Sequence, residues 1–340
     1  MLFDEDKNMK SRLLAIAILF ATLCSQAQAQ VKLSENTSVV FATVPEARKI
    51  LTSRDPFVVR MSPFDRAARM KTDREVSEKE YLEFVGKNVL AWNDAEKKMI
   101  TSALQGIRTE LEVLSLKLPS KVFMVKTTGN EEGRAAYTRA NAIVLPKSVL
   151  TAPTAKIRHK ICHELFHIMS RENPDLREKL YAAIGFVKCN EIAFPLELKP
   201  RKLTNPDAPM NDHYIRVQVA GKERWGIPIL FSTAEKYDVK RGGEFFSYAK
   251  FQILLVERDE GSSTVMPIYD GQNPKLVDMQ QVSGFFEQVG KNTQYIIHPE
   301  EILAENFALL VLGERNVPSP EVIKKLREIL NEEQSRGSGP

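Results

Sequence analysis

Three of the five histidines of this 340-residue chain lie within a short stretch of sequence. His163 and His167 enclose the motif His-Glu-Leu-Phe-His. Side chains four positions apart on an α-helix lie on one face, a turn apart, so both imidazoles could reach one metal ion. Glu164 would then lie beside the ion, where it could act as a base. The spacing therefore predicts a metal site on a helix.

A pair of acidic residues with the same spacing occurs far along the chain. Glu301 and Glu305 follow Pro299, and proline is favoured in the first turn of a helix, so we expect a helix from Pro299 that ends before Gly313. Catalytic zinc takes three protein ligands and leaves a fourth position to water. One carboxylate can therefore bind the metal while the other holds a ligand histidine. The spacing alone does not show which of the two carboxylates binds the metal and which one holds the histidine.

Together, the two motifs resemble the gluzincin type of zinc metallopeptidase, which combines His-Glu-x-x-His on one helix with Glu-x-x-x-Asp on a later one. Here Glu305 replaces the final Asp. The resemblance implies Zn²⁺ as the cofactor, with His163, His167 and Glu301 as its ligands. It also implies that Glu164 is the general base and that Glu305 accepts a hydrogen bond from a ligand histidine. Glu305 stays the alternative third ligand.

The same resemblance implies an α+β fold, a zincin-like metallopeptidase domain with a mixed sheet and an active-site helix. Its substrate would be a peptide or protein, hydrolysed by a zinc-activated water whose proton Glu164 removes. A hydrogen-bond donor should face the developing oxyanion, and the sequence does not choose among four candidates. These are His213, Tyr214, Tyr295 and His298.

Two other functions stay open on the sequence alone. One is a non-catalytic, metal-stabilised binding module. The other is a zinc hydrolase that acts on a non-peptide amide such as a cell-wall crosslink. The resemblance also implies an edge strand beside the cleft, which we place at Tyr137–Leu145 and to which a peptide could add as an extra strand. The alternative is a core strand covered on both edges.

The first 29 residues are typical of a secretory signal peptide. Lys10 and Arg12 precede the apolar run Leu13–Leu23, and the small-x-small sequence Ala27-Gln28-Ala29 follows. A span of the bilayer needs about 20 apolar residues, more than this run contains. We therefore expect an exported protein, periplasmic or secreted, with no stable membrane insertion after cleavage. An uncleaved anchor is the alternative.

Two cysteines, Cys162 and Cys189, would remain after cleavage. In an oxidising compartment they could pair, but two independent buried thiols are an equal alternative. His159 lies one turn before His163 and is expected at the surface or behind the ligands. No acidic neighbour at position 160 could serve as its base.

Composition excludes several classes of protein. Hydrophobic residues make up 43% of the chain and charged residues 27%, which favours a soluble globular protein. The 48 basic and 44 acidic residues are too balanced for a nucleic-acid partner, and the oligomeric state is left undetermined. We expect a loop-rich segment over 30–75 and a single domain over 76–335, with a strand-rich insertion at about 190–290.

Hydrophobic periodicity predicts where the elements lie. Two amphipathic helices are expected between Ser77 and Leu118. Strands are expected at Phe57–Met61, Lys121–Lys126, Tyr214–Val219, Ile227–Ser232 and Phe245–Glu257. Further helices are expected at Thr154–Ser170, at 175–187 and at Ser319–Glu333.

Overall fold

The computed structural model of the protein describes residues 30–114, 116–259 and 261–337, with side chains as far as residue 333. The predicted signal sequence, residues 1–29, lies outside the described residues. None of the described helices is both long enough and apolar enough to cross a membrane.

Six strands form a mixed sheet. They are β1 (Gln30–Lys32), β2 (Ser38–Phe41), β3 (Val89–Leu90), β4 (Lys121–Thr127), β5 (Tyr137–Arg139) and β6 (Ala142–Pro146). Their order is β1-β2-β4-β6-β5, and β3 pairs with one end of β4. Strands β2, β4 and β6 are parallel, whereas β1 and β5 are antiparallel to their neighbours. Strand β5 is therefore an edge strand of this sheet.

Eleven α-helices occur in the described part of the chain. They are α1 (Val44–Leu51), α2 (Pro56–Arg60), α3 (Pro63–Arg69), α4 (Glu78–Lys87), α5 (Asp94–Gln105), α6 (Arg108–Val113), α7 (Thr154–Glu172), α8 (Pro174–Ala183), α9 (Phe286–Val289), α10 (Pro299–Val311) and α11 (Pro320–Gly337).

Helices cover both faces of the mixed sheet, because its central strands are apolar on both sides. Successive side chains of a strand point to opposite faces. On β6, Ile143 and Leu145 join a core cluster with α5, α7 and α10, whereas Val144 joins a second cluster with α1, α2 and α4. Strands that are buried on both faces read as continuous apolar runs, as this one does.

A second, antiparallel sheet lies between α8 and α9 in the sequence. Its strands and the small hairpin beside it are β7 (Phe186–Lys188), β8 (His213–Val219), β9 (Lys222–Ser232), β10 (Ala249–Arg258), β11 (Val265–Pro267), β12 (Tyr269–Asp270), β13 (Asn273–Pro274), β14 (Leu276–Val277) and β15 (Val282–Ser283). The order is β11-β10-β9-β8-β15, with β14 on β10 and β7 on β8, while β12 and β13 pair only with each other. The protein is thus mixed α/β with open sheets.

Several predicted elements are confirmed, among them the strand at Lys121–Lys126 and the helix at Thr154–Ser170. The strand predicted at Phe57–Met61 is wrong. Phe57 to Arg60 belong to α2 and Met61 is its C-cap, because Asp55 caps the start of the helix through the Val58 amide and Pro56 occupies its first turn. Apolar residues in so short a run do not distinguish strand from helix.

Two other expectations need correction. Residues 30–75 are not loop-rich, since they form β1, β2 and helices α1 to α3. Tyr137–Leu145 is not one strand but the hairpin β5–β6, which turns at Ala140 with a φ of 50°. Cys162 and Cys189 do not pair: both are buried free thiols, and they belong to separate core clusters.

A buried ion network ties the N-terminal helices to the loop after the 3₁₀ turn Lys199–Arg201. The Arg69 guanidinium is 2% exposed and donates two hydrogen bonds to Glu132, at 2.8 and 2.6 Å. It also contacts Asp65 and donates to the Thr204 carbonyl at 3.0 Å. Asp65 in turn accepts from the Thr204 amide at 2.9 Å. Thr204 is therefore held by both its backbone groups.

Replacing Arg69 by alanine should strongly destabilise the protein, because Asp65 and Glu132 would remain buried without their cation. Breaking a buried ion pair on one side costs about 3–5 kcal/mol in the free energy of unfolding. Denaturant unfolding measures this loss. Arg108→Ala is the matched control, since Arg108 pairs with Glu112 on an exposed helix face and should cost less than about 1 kcal/mol. Equal losses in the two variants would contradict this account.

Candidate metal centre

Helix α7 carries the histidine motif and is positioned by its apolar side. Ile157, Ile161 and Leu165 are fully buried in the core cluster that backs the mixed sheet. No side chain caps the helix, which begins after Pro153. Phe166 packs on Phe307 of α10, with ring centroids 5.7 Å apart. This contact brings the two motif-bearing helices together.

Helix α10 begins where Pro299 predicts. His298 is its N-cap, and the Nδ1 atom of its imidazole accepts a hydrogen bond from the Glu300 amide at 3.1 Å. This capping bond fixes the first turn, which presents the buried Glu300 and Glu301 to α7. The predicted pairing of the two helices is what the structure shows.

His163, His167 and Glu301 converge at the contact between α7 and α10. One Glu301 oxygen, Oε2, lies 3.1 Å from His163 Nε2 and 3.8 Å from His167 Nε2. The three potential ligand atoms lie within 4.8 Å of one another, and all three residues are buried. This group could hold a metal ion.

Glu305 lies on the far side of His163, not in the group itself. Its Oε2 atom is 3.5 Å from His163 Nδ1, and its Oε1 atom is 3.0 Å from His159 Nε2. The Glu305 carboxylate therefore lies between His163 and His159. His163 Nδ1 has no hydrogen-bond partner among the described residues, so the role that the gluzincin resemblance implies for Glu305 stays a prediction.

Glu300 contacts the far nitrogen of His167 more closely than Glu305 contacts that of His163, and sequence analysis missed it. Its Oε1 atom lies 3.0 Å from His167 Nδ1, and its Oε2 atom accepts hydrogen bonds from Ser170 at 2.7 Å and from Tyr181. Burial opposes ionisation of Glu300, but these hydrogen bonds lower its pKa. A second carboxylate next to Glu301 in the first helical turn was the only signal.

The unpaired atoms of the site fit a metal ion. His167 Nε2 and Glu164 Oε2 are buried and have no hydrogen-bond partner among the described residues. Burial works against the charged form of Glu301, yet His167 and His163 lower its pKa to about 2. A permanently ionised carboxylate with two imidazoles is a donor set that Zn²⁺ accepts. The metal would replace protons that the imidazoles otherwise hold.

Glu164 lies beside the three converging residues and is almost fully buried. Burial, reinforced by the negative charge of Asp207, raises the pKa of its carboxyl to about 7. A pKa near neutrality suits a group that must both accept and return a proton. Glu164, His167 and Asp207 also form a second group whose potential ligand atoms lie within 4.8 Å of one another.

Two residues of the 204–209 loop reach the site, and sequence analysis missed both. Asn205 donates from Nδ2 to the Oε1 atom of Glu301, and Asp207 approaches Glu164 and His167. The loop belongs to no periodic segment, so no hydrophobic pattern could have predicted its position. Its contact with Arg69 and Asp65 is what holds it there.

Tyr295 is the best placed of the four candidate oxyanion donors. It is 41% exposed and lines a small cavity together with Asn205 and Asp207. Desolvation of its hydroxyl and the nearby carboxylates, chiefly Glu301, raise its pKa above the ordinary value. The hydroxyl therefore stays protonated and available as a donor. Tyr214 is instead buried in the core of the second sheet, where its hydroxyl accepts from Arg258 at 3.2 Å.

The two histidine candidates lie behind His167. His213 is held between two carboxylates, Asp212 at 2.7 Å and Glu178 at 2.8 Å. His298 accepts at Nδ1, so its neutral ring carries the hydrogen on Nε2. Burial and the neighbouring His213 lower the pKa of His298 to about 4, which keeps the ring neutral.

Asp212, His213 and His298 also lie close enough to form a metal-sized group. A metal ligand must offer a lone pair, and the Nδ1 lone pair of His298 is already used by the Glu300 amide. Both nitrogens of His213 face carboxylates. This second group is therefore better described as a hydrogen-bonded support for the start of α10.

A cavity of about 720 Å³ adjoins the site on the side of His167 and Glu300. Phe57, Pro206 and Met210 contribute apolar surface to its wall, and Arg139 contributes a buried guanidinium paired with Asp55. Its size is within the range of small-ligand pockets.

Comparison with family models, curated proteins and solved structures gave no match to this chain. The assignment of the site therefore depends on its own geometry.

Removing the Glu301 carboxylate should abolish stoichiometric metal binding, because it takes away one of three ligands. Glu301→Ala should purify without the one equivalent of zinc that we expect in the native chain, as measured by elemental analysis after dialysis. Glu305→Ala is the matched control four residues along the same helix, and it should weaken zinc binding only about 10–100-fold. The reverse ranking of the two variants would make Glu305 the third ligand.

Proposed function

We propose that this protein is an exported zinc-dependent peptidase of zincin-like architecture. The observation that carries the proposal is the convergence of His163, His167 and Glu301, with the buried carboxylate of Glu164 beside them. Three ligands and an adjacent general base are the minimum that metal-assisted hydrolysis of an amide requires. Export rests on residues 1–29, whose composition is typical of a signal peptide.

Different residues of the chain have different roles in hydrolysis. Glu164 removes a proton from the attacking water and returns it to the leaving amine, for which its raised pKa suits it. The Tyr295 hydroxyl donates a hydrogen bond to the developing oxyanion. Bound zinc would supply acidification of that water and polarisation of the scissile carbonyl. Glu300 keeps the His167 imidazole in the tautomer that leaves Nε2 free, and Glu305 lies 3.5 Å from Nδ1 of His163.

The surroundings of the site favour a peptide as the substrate. The edge strand β5 lies near the site, and an extended peptide can pair with such an edge through main-chain hydrogen bonds. The cavity of about 720 Å³ is large enough for a side chain next to the scissile bond. Pairing of this kind supplies affinity with little sequence preference, and the cavity supplies selectivity.

Glu164→Gln should abolish peptide hydrolysis without removing the metal, because the amide can neither accept nor return the proton. The expected loss in kcat is about 100-fold to 10,000-fold, with one zinc still bound. A fluorogenic peptide library and elemental analysis measure the two quantities. Glu172→Gln, at the exposed end of the same helix, is the control and should leave both unchanged.

The same assays on the native chain distinguish the proposed peptidase from the alternative functions. Zinc bound without any hydrolysis, in native protein and Glu164→Gln alike, would favour a metal-stabilised binding module. Hydrolysis of cell-wall crosslinks with none of the peptides cleaved would favour the non-peptide amidase. Undiminished peptide hydrolysis in Glu164→Gln would show that Glu164 is not the base.

Tyr295→Phe should lower kcat by about 100-fold or more while KM and zinc content stay nearly constant, because only the donor to the oxyanion is lost. Steady-state kinetics on one good peptide measures the split between kcat and KM. Tyr269→Phe is the control, since Tyr269 has a similar exposure of 42% on a surface hairpin. An unchanged kcat in Tyr295→Phe would assign the donor role elsewhere.

A further inference from the structure

The segment 204–209, Thr-Asn-Pro-Asp-Ala-Pro, lies between the candidate metal centre and the edge strand β5. It is held at one end by the backbone contacts of Thr204 with Asp65 and Arg69. In its middle, Asn205 donates to Glu301 and accepts at Oδ1 from the Asp207 amide at 3.0 Å. Two prolines limit its backbone freedom. These contacts hold the segment over the site in the conformation that the structure shows.

Asp207 brings a carboxylate next to His167 and Glu164. One of its oxygens lies within 4.8 Å of potential ligand atoms of both His167 and Glu164. His167 Nδ1 is engaged by Glu300, so Nε2, which lies 3.8 Å from Glu301 Oε2, is the nitrogen left for a metal. Both His167 Nε2 and Glu164 Oε2 are buried without a hydrogen-bond partner among the described residues. An ion bound at His167 Nε2 would join the group of His163, His167 and Glu301 to the group of Glu164, His167 and Asp207.

The same carboxylate also covers the edge of β5. Asp207 Oδ1 accepts from the Thr138 amide at 2.7 Å and from the Thr138 hydroxyl at 2.5 Å. Thr138 is the central residue of β5, and its amide points away from the partner strand β6. A peptide that added to this edge would need that same amide. In the turn that follows β5, the Ala140 carbonyl accepts a hydrogen bond from Arg171 at 2.6 Å.

We propose that Asp207 is a fourth ligand of the metal ion and that residues 204–209 close the site against substrate until they move away. The proposal rests on the proposed function, because it requires an ion held by His163, His167 and Glu301. A site with four protein ligands is closed, whereas a catalytic one keeps a position for water. Displacing Asp207 would open that position and uncover the Thr138 amide in one movement.

The test measures metal coordination directly in the full chain. Asp207→Ala and Asp207→Asn should release zinc to a chelator at least about 10-fold faster than the native chain, the lower bound for losing even an indirect partner of a metal. The visible absorption of the Co²⁺-loaded variants should also change, because it reports the number and type of ligands. Asp175→Ala, an exposed aspartate at the start of α8, is the matched control. Circular dichroism verifies the fold of each variant.

The rate of peptide hydrolysis at saturating zinc tests whether residues 204–209 close the site. Hydrolysis of a short unstructured peptide should be faster in Asp207→Ala than in the native chain, and Thr138→Val should release part of the same inhibition. A rate equal to or below the native rate would overturn closure of the site.

The measurements distinguish a failure of Asp207 as a ligand from a failure of the proposed function. If the zinc release rate and the Co²⁺ spectrum of Asp207→Ala match the native chain, Asp207 is not a ligand. The proposed function would survive that result as long as the native chain holds one zinc and Glu164→Gln is inactive. A native chain that binds no zinc would overturn both proposals at once.

Discussion

The structure depends on one constraint. The ionisable groups that are buried between α7 and α10 must pair with one another through opposite charges or hydrogen bonds. Isolated charges in a protein interior are too costly to persist, so each must find an opposite charge, a hydrogen bond or a metal. Glu301 meets this requirement by facing both His163 and His167 with the same oxygen. Neither helix could be shifted by one turn without leaving these groups unpaired. The register of the two helices is therefore set by electrostatics as well as by the contact between Phe166 and Phe307.

Around this contact, outer groups support some of the inner ones. Glu300 contacts the far nitrogen of His167 at 3.0 Å, Tyr181 donates to Glu300, and Glu305 lies 3.5 Å from the far nitrogen of His163. Contacts of this kind limit the movement of a histidine and fix its tautomer, which would raise the affinity for a metal without adding a ligand. The second sheet contributes to the same end, because His213 at the start of β8 packs on Tyr181, with ring centroids 4.6 Å apart. The insertion between the two motif helices is thus part of the site.

Local patterns predicted the helices that bear the motifs, but not the surroundings of the site. The spacing of His163 and His167, the spacing of Glu301 and Glu305, and the apolar stripe of α7 are each local to one helix, so they can be read from sequence. Asn205 and Asp207 act through a loop whose position depends on Arg69 and Asp65, more than 100 residues earlier. No local rule connects such residues. The error at Phe57–Met61 has a related origin, since five residues cannot display a helical period.

The loop also explains why the N-terminal helices matter to the site, although none of them supplies a ligand. Arg69 joins Asp65 and Glu132 in a buried network that holds Thr204, and Thr204 immediately precedes the residue that contacts Glu301. Replacing a buried ion network by apolar side chains often leaves stability unchanged or improves it, so stability alone does not account for this one. Holding a polar loop over a buried site requires a directional anchor, which an apolar cluster cannot provide. We infer that the network specifies where the loop lies, at a cost in desolvation that apolar packing would have avoided.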